Sequence, residues 1–480
     1  MRIRTLGHLC RDAHLDLDRP GTPSNESWSD TVVSGISHDS RRIGPGSVFC
    51  AVRGARFDGH DFVRDAVGLG AVALVVEHPV SEVDSSVPQI VVRDARLAMG
   101  RLATAFWGDP SRHMEVIGVT GTNGKTTTTH LLAEILTAAG RPTEVIGTLS
   151  GGFTTPEAPD LQATLAGMRE GGTRAVAMEV SSHSLVMERV TGTWFAAAVF
   201  TNLSRDHLDL HGDMETYFAS KARLFDPSFT DMAVVNVDDP YGRRLASASR
   251  VRTIPFSRAD LVDVEVSTVE HRYVWHGRSV RCPLGGAVNV MNSLAAATVA
   301  DALGVDTATI ADALAQVAPV PGRMERVDDG QDFTVFVDYA HTPDGLSAVL
   351  RSLRESNLEG RILVVFGCGG DRDKAKRPMM GEVAVGLADE VIVTSDNPRS
   401  EDPRAIIASI VAGVPDHLRH RLVGEVVDRR AAIETAIGRA RPGDVVLIAG
   451  KGHETTQIIG NDVLPFDDRD VARDVLGVRA

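Results

Sequence analysis

The clearest chemical signal in the sequence is the pair Lys125 and Thr126, inside the glycine-rich segment 118–132, GVTGTNGKTTTTHLL. The apolar run 116–119 predicts a buried strand, and the apolar spacing after the pair predicts a helix that stops at Gly140. Between a strand and a helix, backbone N–H groups and the positive helix end meet an anion. A lysine there reaches the terminal phosphates, and a threonine hydroxyl suits Mg²⁺. The segment therefore predicts an ATP phosphate site, with an ordinary glycine-rich turn as the alternative.

Two candidate metal ligands, Glu179 and His207, follow apolar runs that predict buried strands at 175–180 and 196–202. In an open α/β sheet, ligands bind at the carboxyl ends of the strands, so both side chains are expected at the phosphate end. A single Glu or His would more often be a surface residue or a satisfied core group. Two of them after successive strands favour a metal site.

Four more apolar runs in the last third of the chain each end in a polar, often glycine-rich cluster. These runs with their clusters are 333–344, 361–373, 390–403 and 444–454. One such cluster would be an ordinary loop. Four of them on neighbouring strands predict a ligand crevice.

The segments that must position these residues show strand and helix patterns in alternation, which predicts an α/β fold with a parallel, doubly wound sheet. Segments 107–112 and 319–327 carry the Gly and Pro punctuation of domain boundaries. The expected domains are 1–110, 111–327 and 328–480. In the first domain, the loop 35–49 with Ser40 could hold a phosphate or a ribose, although such a loop alone is more often a turn with solvated charges.

The composition limits the class of protein. The 480 residues include 50 Lys and Arg against 64 Asp and Glu, and the net charge of −14 argues against nucleic acid as the main partner. The four cysteines are far apart and form no CxxC pair, so a reducing cytoplasm is expected. The N-terminus lacks the apolar core of a signal peptide, and no apolar run approaches the about 18 residues needed to cross a membrane. A cytoplasmic protein without a membrane or nucleic-acid partner is expected.

Ten short motifs occur in a characteristic order between Ser37 and Glu454. They are GTNGKTTT, TTPEAPDLQ, MEVSSHSL, FTNLSRDHLD, YFASKARLF, GRME, DYAHTPD, GCGGDRD, SDNPR and GKGHE. In these motifs the chain resembles the Mur ligase family, the ATP-dependent enzymes that form amide bonds in peptidoglycan synthesis. The resemblance implies an N-terminal domain for the UDP-linked substrate, a central P-loop ATPase and a C-terminal Rossmann-like domain for the amino acid.

The resemblance also implies the reaction. An ADP-forming ligase of this kind would use ATP and Mg²⁺ to convert a carboxylate of UDP-MurNAc-L-Ala-D-Glu into an acyl phosphate, which the amine of meso-2,6-diaminopimelate then attacks. Phosphoryl transfer depends mostly on positioning and on lysine and Mg²⁺ electrostatics, so no side-chain nucleophile is required. This chemistry fits the lack of a recognisable catalytic Cys or Ser elbow. A monomer is expected.

The same resemblance assigns roles to matching positions. Catalysis falls to Lys125, Glu179, His207 and Lys221, and Lys221 matches the lysine that carries a carbamate in this family. The expected Mg²⁺ ligands are Thr126, Glu179, His207 and Lys221. The expected nucleotide-binding positions are Gly121, Thr122, Asn123, Gly124, Lys125, Thr126, Thr127, Asn292, Arg323, Asp338 and His341. The positions expected to hold the UDP-muramoyl-dipeptide are Ser40, Thr154, Thr155, Ser181 and Arg189. Those expected to receive diaminopimelate are Arg372, Asp396, Asn397, Pro398, Arg399, Gly450 and Glu454.

The choice of amino acid rests on Arg399. Meso-diaminopimelate differs from lysine by a second carboxylate, which a guanidinium group can hold through two parallel charge-assisted hydrogen bonds. The alternative for the segment itself is a turn followed by a helix cap. A relative that adds L-lysine or D-alanyl-D-alanine, or a polyglutamate-type ligase, is the alternative within the class. A catalytically silent scaffold or nucleotide sensor is the alternative outside it, and the intact Lys125, Thr126, Glu179, His207 and Lys221 argue against that reading.

Overall fold

Three α/β units, each built on a sheet of mostly parallel strands, follow one another along the chain. The computed structural model describes residues 4–17, 22, 28–54, 57–81, 83–355 and 360–479. The strands of the three sheets are largely apolar because helices cover both faces of each sheet. Their carboxyl ends therefore deliver the first polar residues, and those ends are where the candidate site lies.

The N-terminal unit has short strands and three helices. Its strands are β1 Arg4–Thr5, β2 Val32–Val33, β3 Gly35–Ser37, β4 Ser47–Cys50, β5 Ala71–Val76 and β6 Gln89–Val91, and its helices are α1 Leu6–Asp12, α2 Val63–Gly68 and α3 Ala95–Trp107. Strands β3, β4, β5 and β6 pair in that order, all parallel, and β1 pairs with β2 in an antiparallel ribbon. Helix α3 ends at Gly108, whose φ of 73° reverses the chain toward the central unit.

The central unit carries the phosphate loop. Its large sheet consists of β7 Glu115–Thr120, β8 Thr143–Ile146, β9 Ala175–Glu179, β10 Ala197–Phe200, β11 Met232–Asn236 and β12 Arg252–Phe256. A small antiparallel sheet consists of β13 Val262–Val266, β14 His271–Trp275 and β15 Arg278–Cys282. The helices are α4 Lys125–Ala138, α5 Ala158–Glu170, α6 Ser182–Val186, α7 Leu208–His211, α8 Met214–Ala222, α9 Pro240–Ala248, α10 Ala287–Ala302 and α11 Thr307–Leu314.

The order of the large central sheet fixes the place of the phosphate loop. The six strands run β12-β11-β10-β7-β9-β8, all parallel. After β7 the chain builds one side of the sheet, and after β9 it crosses to build the other, so β7 and β10 flank a topological switch point. Helix α4 follows β7 directly. Its predicted apolar face, Leu131, Leu132, Ile135 and Leu136, is fully buried, which contributes about 2 kcal/mol per side chain.

The C-terminal unit has the strand order of a Rossmann-like sheet with one antiparallel edge. Its strands are β16 Glu325–Val327, β17 Thr334–Asp338, β18 Ile362–Phe366, β19 Glu390–Thr394, β20 Leu422–Val426, β21 Val445–Ala449, β22 Thr456–Ile459 and β23 Asp462–Pro465. Its helices are α12 Pro343–Glu355, α13 Lys376–Leu387, α14 Pro403–Val411, α15 Arg429–Arg439 and α16 Asp468–Arg479. The sheet order is β16-β17-β21-β18-β19-β20, and β22 and β23 form a hairpin. The four strands that end in polar clusters are indeed neighbours.

One buried ion pair ties two of those strand ends to the helices behind them. The side chains of Arg429 and Asp468 are both fully buried and form two hydrogen bonds of 2.7 Å. The same guanidinium donates to Ala449 O at 3.0 Å and Ser395 O at 3.3 Å. The carboxyl ends of β19 and β21 are therefore held at a fixed separation.

The pairing of strand β16 bears on the second domain boundary, which was expected at the end of the segment 319–327. Strand β16 already belongs to the C-terminal sheet, where it pairs with β17. We therefore propose a boundary just before Glu325 rather than at 327/328, and we keep the proposed boundary at 110/111.

Sequence patterns did not predict the small sheet β13–β15 or the hairpin β22–β23, because both are short and lie outside the alternating strand and helix pattern.

Candidate active site

The segment between β7 and α4 forms a loop whose glycines leave no room for side chains. Gly121 and Gly124 have φ angles of 149° and 87°, which residues with a Cβ rarely adopt. A Cβ at Gly121 would lie 1.9 Å from Thr201 Oγ1, and one at Gly124 would lie 2.4 Å from Asn292 Oδ1. Helix α4 begins without a side-chain cap among the described residues, which leaves its first N–H groups for an anion. These donors and the positive helix end suit a phosphate.

Lys125 folds back over the loop that precedes it. Its Nζ donates hydrogen bonds to Gly121 O at 3.0 Å and to Thr122 O at 2.8 Å. Burial lowers the pKa of this ammonium group, and the negative charge of Glu179 opposes that shift. A cation in this position is placed to meet the terminal phosphates of a nucleotide.

The neighbouring strand β10 fastens the loop through residues that the sequence analysis did not single out. Asn202 Oδ1 accepts a hydrogen bond from Asn123 N at 2.9 Å, and Asn202 Nδ2 donates to Asn123 O at 3.1 Å. Thr201 Oγ1 donates to the same carbonyl at 2.7 Å. Sequence reasoning could have found Thr201 and Asn202 from their place at the end of a predicted strand. Because β10 pairs with β7, the end of β10 lies next to the loop.

Glu179 and Thr126 form an oxygen-rich pair beside the loop. Thr126 Oγ1 donates to Glu179 Oε1 at 3.0 Å, and Thr148 donates to the same carboxylate from its backbone N at 2.8 Å and from its hydroxyl at 3.2 Å. Mg²⁺ commonly takes one or two protein oxygens and completes its shell with phosphate oxygens and water, so this donor set fits the ion. In the described part of the chain, no group of three or more His, Cys, Asp and Glu side chains makes a metal site by itself. An ion held here would be shared with nucleotide phosphates.

His207 enters the same cavity from the loop after β10. Its backbone is left-handed, with φ of 54°, and its Nε2 lies 3.3 Å from Asp206 Oδ2. Burial lowers the pKa of His207 to about 3, so its ring is neutral and has a lone pair for a metal ion. The ring of His183 packs edge-on at 4.8 Å.

Lys221 is buried and reaches the loop from helix α8. Its Nζ donates to Gly121 O at 2.8 Å, the carbonyl that Lys125 also uses, and lies 4.8 Å from the centroid of the Tyr217 ring. Burial, and then the charge of Lys125, lower the pKa of Lys221 well below its usual value. The surroundings therefore favour the neutral amine, which is the nucleophilic form.

A cavity of about 510 Å³ joins the central unit to the C-terminal unit. The predicted site residues that line it are Thr122, Asn123, Gly124, Lys125, Thr126, Thr127, Thr154, Glu179, Ser181, His207, Asn292, Arg323, Asp338 and His341. The other predicted residues lie outside its described lining, namely Ser40, Gly121, Thr155, Arg189, Lys221, Arg372, Asp396, Asn397, Pro398, Arg399, Gly450 and Glu454. The phosphate positions therefore share one space, whereas the positions expected to receive the amino acid form a separate group.

The segment that joins the central and C-terminal units contributes Arg323 to this cavity, and the C-terminal unit contributes Asp338 and His341. Arg323 Nη2 donates to Thr126 Oγ1 at 3.1 Å, so the joining segment contacts the start of α4 directly. Asp338 accepts two backbone N–H groups at 2.7 and 2.8 Å, and burial raises the pKa of its carboxyl. Burial lowers the pKa of His341, and Lys376 Nζ donates to its carbonyl at 2.8 Å.

The residues expected to hold the muramoyl-dipeptide gather at the carboxyl end of β9. Thr155 Oγ1 donates to Glu179 O at 2.9 Å and accepts from Ser181 N at 3.2 Å. Arg189 Nη1 donates to Thr155 O at 3.2 Å, and Thr154 Oγ1 lies 3.1 Å from the Thr148 hydroxyl. One strand end thus carries this group and the candidate metal carboxylate together.

Ser40 lies apart from that group, in the N-terminal unit. It is half-buried and begins a short helical turn capped by the Asp39 carboxylate. Two residues along, Arg42 donates two hydrogen bonds, of 3.0 and 2.7 Å, to Asp160 in helix α5 of the central unit. The turn is therefore linked to the helix that follows the Thr154 segment.

A second constellation forms where strands β18, β19 and β21 end. Asn397 Nδ2 donates to Glu454 Oε2 at 2.7 Å, and the buried Lys451 Nζ donates to the same oxygen at 3.0 Å. Arg399 Nη1 donates to Gly370 O at 2.8 Å. Among the described residues, no carboxylate lies within 4.0 Å of the Arg399 guanidinium nitrogens, whereas the nearby Arg377 is paired with Glu401. Lys451 is a member that sequence reasoning missed, although it stands inside the GKGHE motif.

The remaining members of this second constellation differ from one another in burial and in their contacts. Gly450 has φ of 114°, and a Cβ there would lie 2.8 Å from Asp396 Oδ2, so the two positions are in close contact. Pro398 is buried beside them. Arg372 is exposed, and its Nη1 donates to Asp371 O at 3.1 Å. Gly450 N donates to Asp338 O at 3.0 Å, which places this constellation on the strand next to the cavity.

A phosphate loop at the switch point of a parallel sheet, with an oxygen-rich pair at its mouth, defines a P-loop nucleotide-binding protein. Three family models match successive parts of the chain. The Mur ligase family catalytic domain matches residues 32–107, the Mur ligase middle domain matches 119–300, and the Mur ligase glutamate ligase domain matches 322–452. The chain belongs to the Mur ligase family.

The chain is similar over almost its whole length to proteins named UDP-N-acetylmuramoyl-L-alanyl-D-glutamate–2,6-diaminopimelate ligase. One from Streptomyces avermitilis is 48% identical over 476 residues, 93% of each chain. One from Geobacillus thermodenitrificans is 46% identical and covers 98% of this chain and 99% of its own. A solved structure of that name is 33% identical, with a TM-score of 0.68 over 100% of this chain and 99% of its own. The family and the three-domain α/β fold expected from the motifs are confirmed.

Proposed function

We propose that the protein joins meso-2,6-diaminopimelate to UDP-MurNAc-L-Ala-D-Glu, with conversion of ATP to ADP and phosphate, as a step of peptidoglycan precursor synthesis. The relatives that carry this name cover 93% and 98% of the chain. The observation that carries the proposal is the shared cavity, in which a phosphate loop faces Asp338 and His341. Their unit also holds Arg399, which has no carboxylate partner among the described residues. A nucleotide and an amine acceptor would meet there.

The residues of the loop would act mainly by position. The first N–H groups of α4 and the Lys125 ammonium would hold the terminal phosphates while a substrate carboxylate attacks the γ-phosphorus and ADP leaves. Glu179, Thr126 and His207 would hold Mg²⁺, which when bound offsets the negative charge of the phosphates. Arg323, in the segment that joins the two units, would add a second cation beside Thr126.

The acceptor side would then supply the amine. The Asn397, Lys451 and Glu454 network offers a carboxylate and an amide to the amino acid's polar end, and Arg399 offers a guanidinium to a distal carboxylate. Attack of the amine on the acyl phosphate forms the amide bond and releases phosphate. L-lysine lacks the distal carboxylate and would leave Arg399 without its anion, so it is the weaker candidate.

Lys221 would carry a carbamate in the active enzyme. Its neutral amine can add to CO₂ with loss of a proton, which converts an uncharged group beside Lys125 into an anion and supplies oxygen donors. Activity should then fall several-fold in CO₂-depleted buffer and recover when bicarbonate is added. Equal rates in depleted and supplemented buffer, with an unmodified Lys221 by mass spectrometry of the active enzyme, would refute this role.

Reduced thiols and the use of ATP support a cytoplasmic location, since all four cysteines are free and buried. No helix among the described residues has both the length and the apolar character to cross a membrane. A monomer is proposed.

The decisive experiment measures ADP release by the purified protein with UDP-MurNAc-L-Ala-D-Glu and a panel of amino acids, with mass analysis of the product. Diaminopimelate is expected to give the tripeptide product with the highest kcat/KM. Higher kcat/KM with L-lysine or D-alanyl-D-alanine would move the protein to another member of its class. No amino-acid-dependent ADP release with any of them would favour a silent scaffold or nucleotide sensor.

A further inference from the structure

Two arginines of the N-terminal unit contact the start of helix α5, one exposed to solvent and the other largely shielded from it. Arg42 forms an exposed, doubly hydrogen-bonded pair with Asp160 in the first turn of α5. Arg96, in helix α3, faces Glu157, the residue that caps α5, with Arg96 Nη1 at 3.7 Å from Glu157 Oε2. Both contacts join the same two units within one helical turn.

Glu157 is at the same time the partner of Arg189, a predicted substrate residue. Arg189 Nε and Nη2 lie 2.9 and 2.8 Å from Glu157 Oε1. The Arg189 guanidinium also donates to Thr155 O and stacks 4.3 Å from the centroid of the Phe153 ring. A carboxylate, a carbonyl and an aromatic face therefore fix its orientation.

The Arg96–Glu157 contact is an ion pair without a hydrogen bond. Arg96 Nη1 and Glu157 Oε2 are shielded from solvent, and neither has a hydrogen-bond partner within the described residues. The two side chains are only 21% and 12% exposed, against 59% and 40% for Arg42 and Asp160. Because water and salt screen a shielded pair far less, the charges of Arg96 and Glu157 keep more of their attraction than an exposed pair at the same distance would.

The result is a row of three charges, Arg96–Glu157–Arg189, that runs from one unit into the other. Glu157 lies between two cations, so each guanidinium limits where the carboxylate can move. Removal of the Glu157 charge would leave two cations facing each other, and removal of the Arg96 charge would leave Glu157 held by Arg189 alone. Neither Arg96 nor Glu157 is part of the cavity lining in the described structure.

We propose that Arg96 and Glu157 are positioning residues for the UDP-muramoyl-dipeptide, acting by holding the Arg189 guanidinium in place. The proposal rests on the proposed function and on Arg189 as a substrate ligand. It predicts that a residue of the N-terminal unit, outside the cavity, sets the affinity for the UDP-linked substrate. The phosphate loop, which follows β7, and the residues expected to receive diaminopimelate, which follow strands of the C-terminal unit, should not respond.

The test measures steady-state ADP release and, separately, binding of UDP-MurNAc-L-Ala-D-Glu alone by calorimetry. Arg96→Gln should raise the KM and the Kd for the UDP-dipeptide about tenfold, with kcat within twofold and the KM values for ATP and diaminopimelate unchanged. Glu157→Gln should do at least as much. Because both act through one guanidinium, the double variant should be no worse than Glu157→Gln. Arg96→Lys keeps the charge and should recover part of the affinity.

Arg101→Gln is the matched control, since it removes the charge of an exposed arginine from the same helix α3, on a residue outside the Glu157–Arg189 contact. Its UDP-dipeptide KM should stay within twofold of the wild type. An equal rise in Arg101→Gln would show a general effect of charge on α3 and overturn the proposal. Additive effects in the double variant, or a loss in kcat with KM unchanged, would also overturn it.

Binding by the wild type separates this proposal from the proposed function. A wild type that binds the UDP-dipeptide but shows the same Kd as Arg96→Gln contradicts only the positioning role. A wild type that does not bind it contradicts both. Thermal unfolding of each variant verifies the fold, and Arg96→Lys carries the comparison if Arg96→Gln does not fold.

Discussion

The phosphate loop of the central unit and the second constellation of the C-terminal unit would bind their ligands with different parts of the chain. The second constellation is called the acceptor constellation below, because it is proposed to receive the amino acid. The loop presents backbone: two glycines in left-handed or extended positive-φ conformations, helix N–H groups and one lysine, all within residues 121–126. The acceptor constellation presents side chains from separate strand ends, joined by Asn397, Lys451 and Glu454. One site is local in sequence, and the other exists only when the strands are assembled.

This difference predicts different sensitivities. A site built from backbone groups should lose affinity for its ligand when a Cβ is added, because the added atom displaces the N–H donors themselves. A site built from side chains should lose its affinity for one group of the substrate when one residue is replaced, because each side chain meets a different part of the ligand. The four experiments below test that contrast, from the largest expected effect to the smallest.

Replacement of Lys125 should have the largest effect. Lys125→Ala removes the cation that meets the transferring phosphoryl group and should lower kcat by about 10³-fold or more, with the fold intact. Lys374→Ala is the control, since that side chain is 68% exposed and paired with Glu401, and it should stay near wild-type activity. ADP release by Lys125→Ala at close to the wild-type rate would contradict the assignment of the loop.

Replacement of Arg399 should affect one substrate. Arg399→Ala should lower kcat/KM for diaminopimelate about 10²-fold, because the distal carboxylate loses a charge-assisted partner, while the KM for ATP changes little. On the wild type, diaminopimelate should be preferred to L-lysine by about 10⁴-fold. Arg404→Ala, an exposed arginine in the following helix, serves as control. Equal losses for ATP and diaminopimelate would mean that Arg399 supports the fold rather than the acceptor.

Addition of one methyl group to the loop should weaken nucleotide binding without changing any side-chain charge. Gly124→Ala places a Cβ against Asn292 at φ of 87° and should raise the Kd for ATP about 10- to 100-fold. Gly140→Ala meets the same kind of backbone strain, at φ of 75°, but has nothing within 4 Å of the added atom. It should cost about 1 kcal/mol of stability and leave ATP binding unchanged. Similar ATP affinities for the two variants would show that contact with Asn292 does not matter.

The smallest effect concerns pH and the support of the acceptor constellation. Hydrogen bonds from Arg377 lower the pKa of Glu401 to about 2, and Glu401 also accepts from Asp371 N at 2.7 Å. Because the pKa is depressed on folding, the stabilisation is complete above the unfolded value of 4.5 and is lost as the pH falls toward 2. Glu401→Gln should lower the free energy of unfolding by about 2 kcal/mol at pH 7, and by clearly less at pH 3. Urea unfolding at both pH values checks this; a difference that does not shrink at pH 3 contradicts it.

The sequence predicted most where the functional residues lie close together along the chain. The strand, the glycine turn, Lys125 and the buried face of α4 lie within about 20 residues, so spacing alone predicted the phosphate loop. The order of ten motifs predicted the family and the three-domain fold. The strands β1, β2, β3 and β6 of the N-terminal unit, the sheet β13–β15 and the hairpin β22–β23 were beyond pattern reasoning, because two to five residues carry too little periodicity.

The sequence by itself therefore determined the family, the phosphate loop and the list of polar strand ends. Only the tertiary structure decided which of those ends meet. It placed Asn202 against the loop, Arg323 on Thr126, Asn397 on Glu454 and Arg96 beside Glu157. The physical reason is that these contacts depend on strand order and on the packing of one unit against another. Residues separated by tens to hundreds of positions leave no spacing signal in a single sequence.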